Sequence, residues 1–171
     1  MDTMEALLTR RSIRQYEDKP VPEEMVRQIL EAAMMAPSAL NAQTWQFIVF
    51  NERERLDAIA EVHPYVKMAL QVPVGVLVCG DLTKEKFPGY WVQDCSAAME
   101  NLLLAAHALG LGSVWTGIYP MEERMTAYRA IAGLPEHIIP FGFAPIGWPA
   151  QQPKSPSRFQ AERVHYNAFQ E

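Results

Sequence analysis

Apolar residues recur along the chain in two periods, and the switches between them divide it into helices and strands. Met4, Leu7 and Leu8 share a helical stripe that Thr3 is placed to cap, and the stripe stops at a run of arginines. Pro20 and Pro22 punctuate the next link. Pro22, Glu23 and Glu24 then open a second helix, in which Met25, Val26, Ile29, Leu30 and Ala33 form one face until Pro37. A polar loop from Ser38 to Thr44 leads into Trp45–Phe50, which reads as a strand. Residues 52–62 follow as a helix and 65–71 as a weaker helical turn. Val72–Cys79 is almost continuously apolar and rich in valine, the pattern of a strand covered on both faces.

The alternation continues in the second half. Residues 81–92 mix Lys84, Glu85, Lys86, Pro88 and Gly89 with Phe87, Tyr90 and Trp91, which suits either a cover over a pocket or a plain surface connection. The longest helix spans 93–109. It is apolar on most faces and stopped by Gly110, which places it at the centre of the molecule. Ser113–Ile118 reads as a strand, Glu122–Ala132 as a helix closed by Gly133 and Pro135, and Ile138–Gly147 as a last strand. Pro145 argues that this strand is an edge, or bulged near its end. From Trp148 onward the chain is polar and broken by Pro149, Pro153 and Pro156, so it orders only by docking on the body or on a partner. The pattern predicts an α+β or α/β sandwich, with residues 1–148 as one domain and 149–171 as its C-terminal arm.

Composition narrows the partners. With 171 residues, 49% apolar and 20% charged, the chain suits one domain with a sizeable core. A net charge of −5 and the lack of a basic, aromatic-laced face argue against nucleic acid. The first residues lack a secretory h-region, and the longest apolar candidate, 97–109, is interrupted by Glu100, Asn101 and His107, so no membrane association is expected. Cys79 and Cys95 form no Cys-x-x-Cys pair and suit a reducing cytoplasm.

The chemistry-bearing residues do not describe a nucleophile or a metal centre. No Gly-x-Ser-x-Gly elbow occurs, and His63, His107, His137 and His165 are scattered. His107, on the long helix, reads as a satisfied core or interface histidine. Against the acidic background stands Arg10-Arg11-Ser12-Ile13-Arg14, whose guanidinium forks and hydroxyl suit a dianion. Cations also sit well at a helix C-terminus, and spacing alone leaves both readings open. Asn41 and Gln43 carry amides that both donate and accept, as the mixed edge of a heteroaromatic ring requires, although both also cap turns. Thr116-Gly117 ends a strand where a flat ligand can approach the backbone. Lys154 and Arg158 add two cations in the arm. Together these residues suit a phosphorylated, ring-bearing redox cofactor that carries the reaction itself.

Four segments in order resemble the FMN-dependent nitroreductase family: Arg10–Arg14, Ala36-Pro37-Ser38-Ala39-Leu40-Asn41-Ala42-Gln43-Thr44-Trp45, Gly110-Leu111-Gly112-Ser113-Val114-Trp115-Thr116-Gly117, and Pro153-Lys154 with Arg158. The resemblance covers essentially the whole chain. It implies an α+β sandwich with a central, mostly antiparallel sheet flanked by helices, in an intertwined homodimer with FMN at the subunit interface. It places Arg10, Arg11, Ser12, Arg14, Lys154 and Arg158 around the phosphate and ribityl chain. Pro37, Ser38, Ala39, Asn41 and Gln43 meet the ring from the other subunit, Trp115, Thr116 and Gly117 lie against the flavin, and the arm reaches across the partner. It further implies ping-pong hydride transfer from NADH or NADPH to a nitroaromatic, a quinone or a similar small-molecule acceptor, with no catalytic side chain and no metal. Flavin reductase, flavin-cleaving and reductive dehalogenase activities share the fold, and a non-enzymatic FMN-binding protein is the reading from another class. Two departures stand out: Thr44 where the family often has proline, and Trp148 where it usually has tyrosine.

Overall fold

A computed structural model describes residues 1–169, so the last two positions of the predicted arm lie outside the described residues. Its strands form one antiparallel sheet. β1 (Trp45–Phe50) pairs with β2 (Val74–Asp81), and β2 with β5 (Ile138–Gly147). The far side of β5 is taken by two short strands, β3 (Gly112–Ser113) and β4 (Thr116–Gly117). Helices α2 (Glu23–Met34) and α4 (Trp91–Ala108) cover one face of the sheet. Helices α3 (Arg53–Val62) and α5 (Glu122–Ala132) cover the other, and α1 (Thr3–Thr9) lies along α4.

The sheet is covered on both faces because β2 alternates two apolar sets. Val74, Val76 and Val78 face α2 and α4, where Met99, Leu102 and Leu103 are buried, while Leu77 and Cys79 face α3 and α5. Each fully buried side chain of this size contributes about 1.5–3 kcal/mol. In β5 the alternation reverses part-way. Val78 pairs with Gly142 but Cys79 with Pro140, so Phe141 is an extra residue in a bulge. The bulge puts Ile138 on the α3/α5 face, and Ala144 and Ile146, also even-numbered, on the opposite one.

Several expectations need correction. Asp2, not Thr3, caps α1, its Oδ1 accepting from the Glu5 N–H at 2.9 Å. The long helix begins at Trp91, two residues before the predicted start. The predicted Ser113–Ile118 strand is split into β3 and β4, because Val114 and Trp115 leave the ladder. Pro145 lies in a central strand, and the bulge is at Phe141. Proline is accommodated because β3 pairs with Ile146 and Gly147, and β4 with Phe143 and Gly142, leaving Pro145 unopposed on that side.

Much apolar surface stays uncovered in the single chain. Met4, Leu7 and Leu8 of α1 point outward rather than into the core, and Phe159, Tyr166 and Phe169 of the arm are exposed. An apolar groove of about 460 Å³, lined by Leu7, Ala32, Met35, Leu104 and Ala105, runs between α1, α2 and α4. Exposed apolar surface on this scale marks an interaction site.

Candidate active site

The arginine segment follows α1 as extended chain and is pinned from two sides. The Ile13 N–H donates to the Ser113 carbonyl at 3.0 Å, and the Tyr16 hydroxyl donates to the Ile13 carbonyl at 2.7 Å. Burial raises the Tyr16 phenol well above its ordinary range, with Arg14 opposing, so it stays protonated. The three arginines then diverge. Arg10 pairs with Glu100 of α4 at 3.4 Å. Arg11 donates to the carbonyls of Arg10, Lys154 and Pro156 at 2.6, 3.2 and 3.5 Å, which ties the arm to this segment. Arg14 is exposed, and its guanidinium has no hydrogen bond or ion pair among the described residues; the same holds for Lys154 and Arg158.

His107 anchors this end of α4. Thr9 gives its one hydroxyl hydrogen to the Glu5 carbonyl at 2.6 Å, so His107 Nε2–H donates to Thr9 Oγ1 at 2.8 Å. Burial, with Arg10 and Arg11 adding and Glu5 opposing, lowers the His107 pKa. It is the satisfied histidine its position suggested.

The amide loop sits at the other end of α4. Leu40, Asn41 and Gln43 all adopt positive φ, at 50°, 53° and 49°. Gln43 N–H donates to Ser38 Oγ at 3.0 Å, and Gln43 Nε2 donates to Asn41 Oδ1 at 3.2 Å. That bond leaves the Asn41 amide nitrogen as a donor and the Gln43 amide oxygen as an acceptor, side by side. Asp94, in the first turn of α4, accepts from the Ala39 N–H and the Thr44 hydroxyl. Lys86 donates to the Leu40 carbonyl at 2.8 Å, so the 81–92 connection touches this loop. Pro37 is exposed beside it.

The third segment runs along β4. Trp115 packs against Phe141 with ring centroids 5.3 Å apart, and only glycine at 142 admits it: a Cβ there would lie 2.7 Å from Trp115 Nε1. Thr116 Oγ1 donates to the Phe143 carbonyl at 2.6 Å. The Gly117 carbonyl accepts from His63 Nε2 at 3.0 Å and from Arg124 at 2.8 Å, while a Cβ on Gly117 would meet only open space. Asp94, His63 and Arg124 support these segments from 50, 54 and 7 residues away, and no local motif marks any of them.

One chain does not unite these groups. Asp94 and His107 are thirteen residues apart on α4, about 20 Å at helical rise. Among the described residues, no hydrogen bond, ion pair or ring contact joins the amide loop to the arginine segment. A sequence model described as the Nitroreductase family matches residues 7–78 and 63–148. The chain belongs to the nitroreductase family. A relative from Methanothermobacter thermautotrophicus, provisionally named NADH dehydrogenase/NAD(P)H nitroreductase, is 53% identical over 96% of this nitroreductase-family chain and 86% of its own length. A solved structure from Parabacteroides distasonis with the same provisional name superposes with a TM-score of 0.93, at 38% identity over 97% of this chain and 98% of that one. Another, a provisionally named nitroreductase from Desulfovibrio desulfuricans in complex with FMN, gives 0.83 at 34% identity, covering 98% and 97%.

Fitted against a phosphorylated flavin, the donor set of this family member matches. Arg14, Lys154 and Arg158, whose side chains hold no partner among the described residues, could supply cations and Ser12 a hydroxyl for a phosphate. Asn41 and Gln43 could supply a donor and an acceptor for a ring edge. Cys79 and Cys95 play no part: both thiols are buried, and burial pushes Cys79 up to about 12 and Cys95 further. Among the described residues no three His, Cys, Asp or Glu side chains cluster as metal ligands, and no helix is long and apolar enough to cross a membrane.

Proposed function

We propose that this chain binds FMN between two copies of itself and passes hydride by a ping-pong cycle from NADH or NADPH to nitroaromatics, quinones or similar small acceptors. Family membership makes the chain an NAD(P)H-dependent flavoprotein oxidoreductase. The observation that carries the finer reading is the placement of complementary groups at the two ends of α4. The arginine segment lies by the His107 end of α4 and the Asn41/Gln43 loop by the Asp94 end, and those two α4 residues are about 20 Å apart at helical rise. A second copy, docked through the uncovered apolar surface of α1 and α4, brings the two sets together.

FMN, when bound, supplies the hydride chemistry. The residues of the chain bind, orient and exclude water. Arg10, Arg11, Ser12 and Arg14, with Lys154 and Arg158 from the arm, hold the phosphate and ribityl chain. Asn41 and Gln43 fix the polar ring edge, with Pro37, Ser38 and Ala39 shaping the loop beside it. Trp115, Thr116 and Gly117 back the ring, and the open space at Gly117 leaves room for a flat ligand to reach the backbone. Residues 149–171 act as an arm across the partner. The two buried free thiols suit a cytoplasmic protein.

Anaerobic titration of the purified chain with NADH and with NADPH is expected to bleach a visible flavin band. A colourless protein that takes up no FMN would refute the reading. Arg14→Ala and Arg158→Ala remove cations with no hydrogen bond or ion pair among the described residues, so each is expected to weaken FMN binding by about tenfold or more. Rates with a nitroaromatic, a quinone and free flavin then identify the preferred acceptor class.

A further inference from the structure

The 38–44 loop takes a conformation that its residues do not favour. Leu40, Asn41 and Gln43 all lie in the left-handed region, which side chains bearing a Cβ enter only at a cost that the surroundings must offset. Beside the loop's own hydrogen bonds and the Lys86 contact on the Leu40 carbonyl, one buried carboxylate reaches both of its ends. Asp94 is 3% exposed, and its two oxygens are divided between the two ends of the loop. Oδ1 accepts from the Ala39 N–H at 2.9 Å, just before the left-handed residues, and Oδ2 accepts from the Thr44 hydroxyl at 3.1 Å, just after them. The Asp81 N–H donates to the Thr44 carbonyl at 2.7 Å, so the second end is also tied to the sheet.

We propose that Asp94, acting through Thr44, is a positioning residue that sets the amide loop in its ligand-ready shape before the flavin arrives. The proposal rests on the flavin reading above. Asp94 itself faces the backbone and touches neither amide, so its action is indirect. By bracketing residues 40–43 it fixes where the Asn41 donor and the Gln43 acceptor stand. Ordering the loop in advance removes an entropy cost from flavin binding. A carboxylate in the first turn of a helix also stabilises that helix, which is a purely structural role. Thr44 separates the two roles, because replacing it leaves the Asp94 charge on α4 in place.

The test compares wild type, Thr44→Val, Thr44→Ser, Asp94→Ala and the Thr44→Val/Asp94→Ala pair as full-length protein. Amide exchange of the 38–44 segment is measured without FMN, and FMN affinity by fluorescence titration. Thr44→Val is expected to speed exchange in the loop, but not in the sheet, and to weaken FMN binding by about tenfold. Thr44→Ser, which keeps the hydroxyl, should bring both back to within about twofold of wild type. The pair should bind FMN no more weakly than Asp94→Ala alone, because both changes break one device. Unchanged loop exchange in Thr44→Val, faster exchange with unaltered FMN affinity, or a Thr44→Ser as impaired as Thr44→Val each overturn the proposal. A wild type that binds no FMN overturns the flavin reading instead, and loop exchange in the same samples still decides whether Asp94 and Thr44 hold the loop.

Discussion

Lowering the pH from about 7.5 to about 5.5 is expected to weaken the fold through His63, and the local structure sets the sign and the limit. The ring is 1% exposed. Nδ1 accepts from the Tyr65 N–H at 3.3 Å, so Nε2 carries the hydrogen and donates to the Gly117 carbonyl. A second proton would destroy the acceptor that Tyr65 uses and place a cation beside Arg124, which already donates to the same carbonyl. Burial, opposed by the Gly117 hydrogen bond and reinforced by Arg124, therefore lowers the His63 pKa from 6.5. The unfolded chain then binds the proton more readily than the folded one. Stability from this residue is complete above the unfolded value of 6.5 and is lost as pH falls toward the folded value. One unit below the unfolded value, a ring that stays neutral in the fold costs at most about 1.4 kcal/mol. His63→Gln keeps a donor and an acceptor but does not titrate. Urea unfolding at fixed protein concentration should show wild type losing up to that amount more than His63→Gln across the interval. Parallel curves for the two proteins would refute the argument. His107, only half-buried, adds a smaller effect of the same sign, and His107→Gln measures it separately.

Two further outcomes check the packing. Gly142→Ala would put a methyl 2.7 Å from Trp115 Nε1 and 3.1 Å from Met99 Cε, so a loss of about 1–3 kcal/mol and a Tm lower by several degrees are expected; an unaltered melting curve would mean Trp115 is not seated there. Cys79 and Cys95 should resist a thiol-specific chromogenic reagent in the folded protein at mildly alkaline pH and react fully in urea. Rapid reaction of either thiol in the folded state would contradict their burial.

The periodicity of apolar residues was enough to place α1 to α5 within a few residues, most closely where a boundary has a local chemical cause. Pro22 opens α2, Gly110 follows α4 with φ 81°, and Gly133 closes α5 with φ 64°. It failed where the cause is tertiary. Pro145 looked like the disruption in β5, yet the extra residue is Phe141, and only pairing with β2 reveals it. The segments of the candidate site were legible because Arg10–Arg14, Asn41 with Gln43, and Thr116-Gly117 each carry a local signature. Their supports were not. Asp94 reads as one more acidic residue at a helix start until Ala39 and Thr44 come to it, and His63 has no evident partner until Gly117 arrives from 54 residues away.

The length of α4 has a genetic consequence. With the arginine segment by one end and the amide loop by the other, each site of the proposed dimer would draw on both polypeptides. A lesion in Arg14 and a lesion in Asn41, carried on different chains, segregate when the two kinds of subunit pair. One site of the mixed dimer then receives both defects and the other receives neither. Two individually inactive alleles expressed together should restore about half the activity per mixed dimer, whereas the same two substitutions on one chain, paired with wild type, damage both sites.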